Sequence, residues 1–206
     1  MNFFLDTEFY EAPGVLDLIS IGIVDDEGAE FYAVSNEFYR DRAWLDSWVR
    51  ENVLRPIFED MLEELRKDPD LISLFPIDPY GTGQEFNVTN FNYLIEYFGQ
   101  SRQDIAADVR RFCLDDSRGN DPISFYGYYA NYDWVLFCWL FGRMVDLPKR
   151  FPMFCMDLKQ MMVDRGLSSE WKDEFVPDPA GEHNALKDAA WNKKLFDTII
   201  LRDEMN

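Results

Sequence analysis

Positive charge, histidine and cysteine are all scarce in this chain of 206 residues. Twenty Lys and Arg face 39 Asp and Glu, and there is one histidine. The resulting net charge of −19 argues against a protein that grips nucleic acid through a basic face. The three cysteines, Cys113, Cys138 and Cys155, are far apart, form no C-x-x-C pair and have apolar neighbours. That excludes a Cys-based metal cluster and reads as reduced core residues in a reducing compartment. No apolar run approaches the ~20 residues needed to cross a bilayer. The longest, Trp134 to Phe141, is far shorter. The N-terminus has no basic segment, and Phe3-Phe4-Leu5 stops at Asp6, so no signal peptide is expected. Together these absences predict a soluble, cytoplasmic protein. Internal repeats and low-complexity segments are absent as well.

What the chain does contain is core material. Hydrophobic residues make up 47% and aromatics 17%, which excludes disorder and suits one domain over residues 1–206. Asn2 to Phe9, Leu16 to Val24 and Glu30 to Ser35 read as strands, with Asp25-Asp26-Glu27-Gly28 as a turn. Short connections make these an antiparallel meander. A helix follows, with Asp41 as its cap and Trp44, Trp48 and Val49 on one face. Pro56 interrupts it, and Ile57 to Lys67 continues as an acidic helix. Pro69, Pro76, Pro79, Gly81 and Gly83 mark residues 68–90 as an irregular excursion. Ser101 and Asp104 form a capping-box-like start for a helix carrying Ile105, Val109 and Phe112. Ile123 to Ala130 reads as a strand and Asn131 to Gly142 as an apolar helix. Phe154 to Asp157 reads as a short strand, with a helix through Met162. Residues 166–182 read as a polar loop and Asn184 to Leu201 as the last helix. Strands first, then alternating helix and strand, fit a three-layer α/β/α domain with a mixed sheet.

Within this frame a set of acids stands out. Asp6 and Glu8 are two apart on a strand, so both carboxylates share one face with Thr7 opposite. At the end of an apolar strand such a pair needs a cation or donors, although D-x-E also fits solvated acids on an exposed strand. Asp133 opens a helix, where an acid also serves as a simple first-turn charge. Its neighbours, Tyr128 to Leu136, are otherwise nearly all apolar or aromatic. His183 stands just before a helix bearing Asp188; a surface histidine capping a helix is the alternative, but its place in an H-x-A-x-x-D-A string favours a functional role. Four carboxylates in this order can hold two Mg²⁺ or Mn²⁺ ions, since hard cations take oxygen ligands. Two such ions stabilise the attacking and leaving oxygens of a phosphoryl displacement. A histidine titrating near neutrality can take the proton from the attacking water.

Phe4-Leu5-Asp6-Thr7-Glu8-Phe9, Tyr129-Ala130-Asn131-Tyr132-Asp133-Trp134 and His183-Asn184-Ala185-Leu186-Lys187-Asp188-Ala189 resemble the three motifs of the DEDDh exonuclease superfamily. The nearest resemblance is to the compact mycobacterial-type, polyadenylate-specific 3′-exoribonucleases. Leu18-Ile19-Ser20-Ile21-Gly22, Phe31-Tyr32-Ala33-Val34-Ser35 and Trp48-Val49-Arg50-Glu51-Asn52-Val53-Leu54 are similar to that subgroup too, so the resemblance covers most of the chain. It implies a ribonuclease-H-like fold and a single exonuclease domain, with residues 68–90 as an insertion. It also implies metal ligation by Asp6, Glu8, Asp133 and Asp188, with His183 as general base. Asn184 occupies the position where a tyrosine-type member would carry Tyr, which favours the histidine class. Phe9-Tyr10-Glu11 replaces the Thr that often follows the first motif in proofreading exonucleases. Thr7 and Phe9 are then candidates to contact the substrate. Phe9 suits stacking on the terminal base and core packing equally well.

The implied activity is 3′–5′ exonucleolytic release of nucleoside 5′-monophosphates, from RNA by the subgroup resemblance. A DNA exonuclease, or a non-catalytic interaction protein on the same fold, are the alternatives; an acidic mimic of nucleic acid would leave the motifs unexplained. The subgroup also implies a homodimer, and the segments near Trp44 and Trp48 suit a dimer face or the core. With two divalent ions the charge is still about −15. Such an enzyme should hold only a few nucleotides and trim distributively with strong Mg²⁺ dependence. Arg40, Arg42, Arg50, Arg55, Arg110, Arg111, Lys187, Lys193 and Lys194 are the local cations available for phosphate.

Overall fold

Two long apolar strands pair at the centre of the molecule. The computed structural model describes residues 1–77, 79–80, 86–115, 119, 121–179 and 183–205. In it β1 (Asn2–Ala12) and β2 (Val15–Asp25) form an antiparallel hairpin whose tight turn uses Gly14 at φ +78°. β3 (Glu30–Val34) returns antiparallel to β2, completing the meander. β4 (Ser124–Gly127) pairs parallel to β1, and β5 (Met156–Asp157) parallel to β4. The mixed five-stranded sheet has the order β3-β2-β1-β4-β5, so β1 is its middle strand.

The helices depart from the sequence reading in instructive places. α1 (Arg40–Leu45) has Tyr39 at its cap position, so Asp41 lies in the first turn and caps nothing. The cap falls instead on α2 (Ser47–Val49), where Asp46 Oδ1 accepts the N–H groups of Trp48 and Val49. This break after Leu45 cancels the i,i+4 relation between Trp44 and Trp48. Trp44 packs on Phe86 and Phe91, while Trp48 is exposed and Val49 buried. A π-helical turn, Arg50–Leu54, then runs into α3 (Arg55–Arg66). Pro56 does not interrupt the helix, because it sits in the first turn of α3, where no N–H is needed.

The described residues of the 68–90 segment are less irregular than expected. Asp68 caps α4 (Pro69–Ile72), and Asn87 caps α5 (Val88–Phe98), which sequence reading had missed. Gly81 and Gly83 lie outside the described residues. Ser101 Oγ accepts the Asp104 N–H to start α6 (Arg102–Leu114), as its spacing indicated. The strand expected to reach Ala130 stops at Gly127, because Tyr129 takes φ +55° and turns the chain into α7 (Asn131–Leu140). α8 (Leu158–Asp164) follows β5. α9 (Ser169–Phe175) occupies part of the supposed loop at 166–182, and α10 (Ala185–Met205) ends the described chain.

Alternation along β1 sends its side chains to different partners. Phe3 and Leu5 pack with Ile21, Ile23, Ile105, Val109, Leu136 and Phe137. Phe4 meets Tyr126 and Phe196 of α10. Ile19 and Val34 join the apolar sides of α3 and α5. Each such burial contributes roughly 1.5–3 kcal/mol. Cys113 and Cys138 are buried, and Cys155 is half-buried. No described helix is long and apolar enough to cross a membrane.

Candidate active site

Gly22 decides where the site can form. It stands opposite Asp6 in the β1–β2 register. A Cβ there would lie 2.2 Å from the Ala185 carbonyl oxygen, so only glycine lets the first turn of α10 settle on the sheet at this point. That seat brings Asp188, in the first turn of α10, to the same face as Asp6 and Glu8. Carboxylate oxygens of Asp6, Glu8 and Asp188 all lie within 4.8 Å of one another. Asn192, one turn beyond Asp188, is buried and donates from Nδ2 to the Leu5 carbonyl at 2.9 Å, which fixes α10 against β1.

Asp133 arrives from the start of α7. Its Oδ1 accepts both the backbone N–H and the hydroxyl of Thr7, at 2.9 and 2.6 Å. Thr7 is buried, so its side chain is committed to positioning Asp133. Asp133 is not part of the tight three-carboxylate group, but it lines the same cleft.

The electrostatics are those of crowded, poorly hydrated acids. Burial, then the charges of Asp133, Glu8 and Asp188, hold the Asp6 carboxyl well above its usual range. Burial, then Asp188 and Asp133, push Glu8 up to about 8. Burial raises Asp133 to about 6, and the hydrogen bonds from Thr7 oppose that rise. All the donors are hard oxygens, and the mutual repulsion is what a divalent cation relieves. This donor set fits Mg²⁺ or Mn²⁺.

The cleft beside these acids has a volume of about 810 Å³. Asp6, Thr7, Glu8, Phe9, Asp133, His183 and Asp188 all line it, so the residues singled out in the sequence converge on one place. His183 adopts φ +69°; its backbone N–H donates to Asp188 Oδ2 at 3.0 Å, and Asn184 N–H donates to the same oxygen at 3.2 Å. Among the described residues, Tyr129 and His183 are the two non-glycines with positive φ, and both border the cleft. Strain of this kind concentrates at functional sites. Phe9 packs at the edge of the core and meets Tyr132 edge-on at 5.9 Å in the cleft wall.

Trp48, Tyr129 and Tyr132 also line the cleft. Sequence reading noted the tyrosines only as the apolar context of Asp133, although their density beside that acid was a usable signal. None of the nine cations proposed for phosphate lines the cleft. Arg40 pairs with Glu96, Arg50 and Arg55 with Glu51, Arg111 with Asp108 and Lys193 with Asp197.

No family model matches the chain. Proteins named 3′–5′ exoribonuclease from Mycobacterium tuberculosis, in strains CDC 1551 and H37Rv, are each 33% identical to it over 204 residues. The match covers 99% of this chain and 96% of theirs. At that identity over almost the whole length, the chain belongs to the 3′–5′ exoribonuclease family.

Proposed function

We propose that this chain is a divalent-metal-dependent 3′–5′ exoribonuclease of the DEDDh type, on a ribonuclease-H-like three-layer fold, releasing nucleoside 5′-monophosphates. The observation that carries this reading is the convergence of Asp6, Glu8 and Asp188 oxygens within 4.8 Å, in a cleft shared with Asp133 and His183.

Asp6, Glu8, Asp133 and Asp188 would hold the metal. Bound divalent cations supply charge neutralisation at the scissile phosphate and activation of the attacking water. The protein's own part is positional. Thr7 holds the Asp133 carboxylate, and the N–H groups of His183 and Asn184 hold that of Asp188. A ring nitrogen of His183 accepts the proton from the attacking water. Phe9 and Tyr132 offer ring surface for the terminal base. RNA as substrate is supported by the names of the two relatives.

End-labelled RNA and DNA of one sequence, incubated with Mg²⁺ or with EDTA, test the proposal. RNA should shorten from its 3′ end only with Mg²⁺, and the Asp6→Ala/Asp188→Ala double variant should be inert. Loss of DNA alone would sink the RNA assignment, and equal activity of variant and wild type would sink the site.

A further inference from the structure

Trp48 is a large aromatic residue left 53% exposed in the wall of the cleft. An indole serving only the core would be buried more completely. Its ring stands edge-on to the imidazole of His183, with centroids 4.7 Å apart and planes at 72°.

The backbone beneath it is held on both sides. Its N–H donates to Asp46 Oδ1 at 3.0 Å, and its carbonyl accepts from Asn52 Nδ2 at 2.9 Å. Val49, next to it, is anchored in the core. The π-helical turn begins at Arg50, and such turns recur at functional sites. The indole is therefore mounted on fixed backbone. The backbone of His183 is tied to Asp188, and its ring meets Trp48.

We propose that Trp48 is a positioning residue for His183: its indole holds the imidazole in one cleft-facing orientation. This rests on the exoribonuclease reading for its catalytic consequence, but the contact itself does not. An edge-to-face ring pair biases a rotamer equilibrium by roughly three- to tenfold. That sets the size of the effect on the proton-transfer step.

Two measurements on the whole chain test it. His183 is the only histidine, so its imidazole gives one set of NMR signals at fixed pH without metal. Trp48→Ala should shift these signals as the indole ring current is lost. With a short RNA and Mg²⁺, Trp48→Ala should lower kcat roughly three- to tenfold with KM nearly unchanged. Trp48→Phe, which keeps an aromatic edge, should recover most of kcat. Unmoved imidazole signals overturn the proposal. A raised KM with unchanged kcat also overturns it, because Trp48 would then be a base-contacting residue. So does a Trp48→Phe enzyme as slow as Trp48→Ala. If the wild-type chain shows no nuclease activity while the signals shift as expected, the exoribonuclease reading falls and the ring contact stands.

Discussion

A carboxylate buried beside other carboxylates destabilises the folded chain whenever it is charged. Glu8 rises from an ordinary value of 4.5 to about 8, and Asp133 from 3.8 to about 6. Between about pH 4.5 and pH 8 the folded protein therefore binds protons that the unfolded chain releases, so metal-free stability must fall as pH rises. Thermal melts in EDTA should show a midpoint that drops across this window. Added Mg²⁺ should raise the midpoint most at the alkaline end, and Asp6→Asn should flatten the metal-free profile. At the neighbouring histidine the expectation is kinetic. His183→Ala should lower kcat about 10²–10⁴-fold and leave KM for a short RNA little changed, as steady-state kinetics will show. The residues that meet in the cleft were legible in the sequence, because D-x-E on an apolar strand and a lone histidine before an acid are local patterns that the ordered motifs join. The commitment of the Thr7 hydroxyl to Asp133 was not, since it joins residues 126 positions apart.

Elements rather than residues decide whether those groups meet. α10 reaches the sheet only where Gly22 has no side chain. Gly22→Ala should cost about 1–3 kcal/mol of stability by overpacking against backbone that cannot yield. It should also lower kcat more than the lost stability explains, by shifting Asp188 away from Asp6. Calorimetry together with kcat on the folded fraction will separate the two effects. The strands and the longer helices were readable from alternation and caps. α5 was missed although Phe91, Leu94 and Ile95 have helical spacing, because it emerges from a stretch rich in Pro and Gly. α9 was missed because its sequence, SEWKDEF, is mostly polar and is started by the Ser168 cap. Trp48 was assigned to a shared face with Trp44 because no helical periodicity reveals a break at Asp46.

On the scale of the whole molecule, net charge and cleft lining agree. A chain at −19, with no Lys or Arg among the described residues lining the cleft, has little counterion release to gain from its substrate. Single-strand binding through basic side chains weakens with a slope of about −0.7 in log affinity per phosphate neutralised. Here KM for a short RNA should change less than about twofold between low and physiological NaCl at saturating Mg²⁺. A steep salt dependence would show that phosphates are held by cations elsewhere on the surface. The net charge was plain from composition; the lack of the nine candidate cations in the cleft and the aromatic character of its walls required the fold, because Trp48, Phe9 and Tyr132 come from three distant segments.

The pairing of β1 with α10 also orders events in time. A ribosome makes Asp6 and Glu8 well before His183 and Asp188, which lie 175 residues or more further along the chain (183 − 8 = 175). At ~5–20 residues per second, that interval is on the order of ten seconds or more. During that interval the growing polypeptide carries Asp6 and Glu8 without Asp188, so the carboxylates that would hold a metal come together only later.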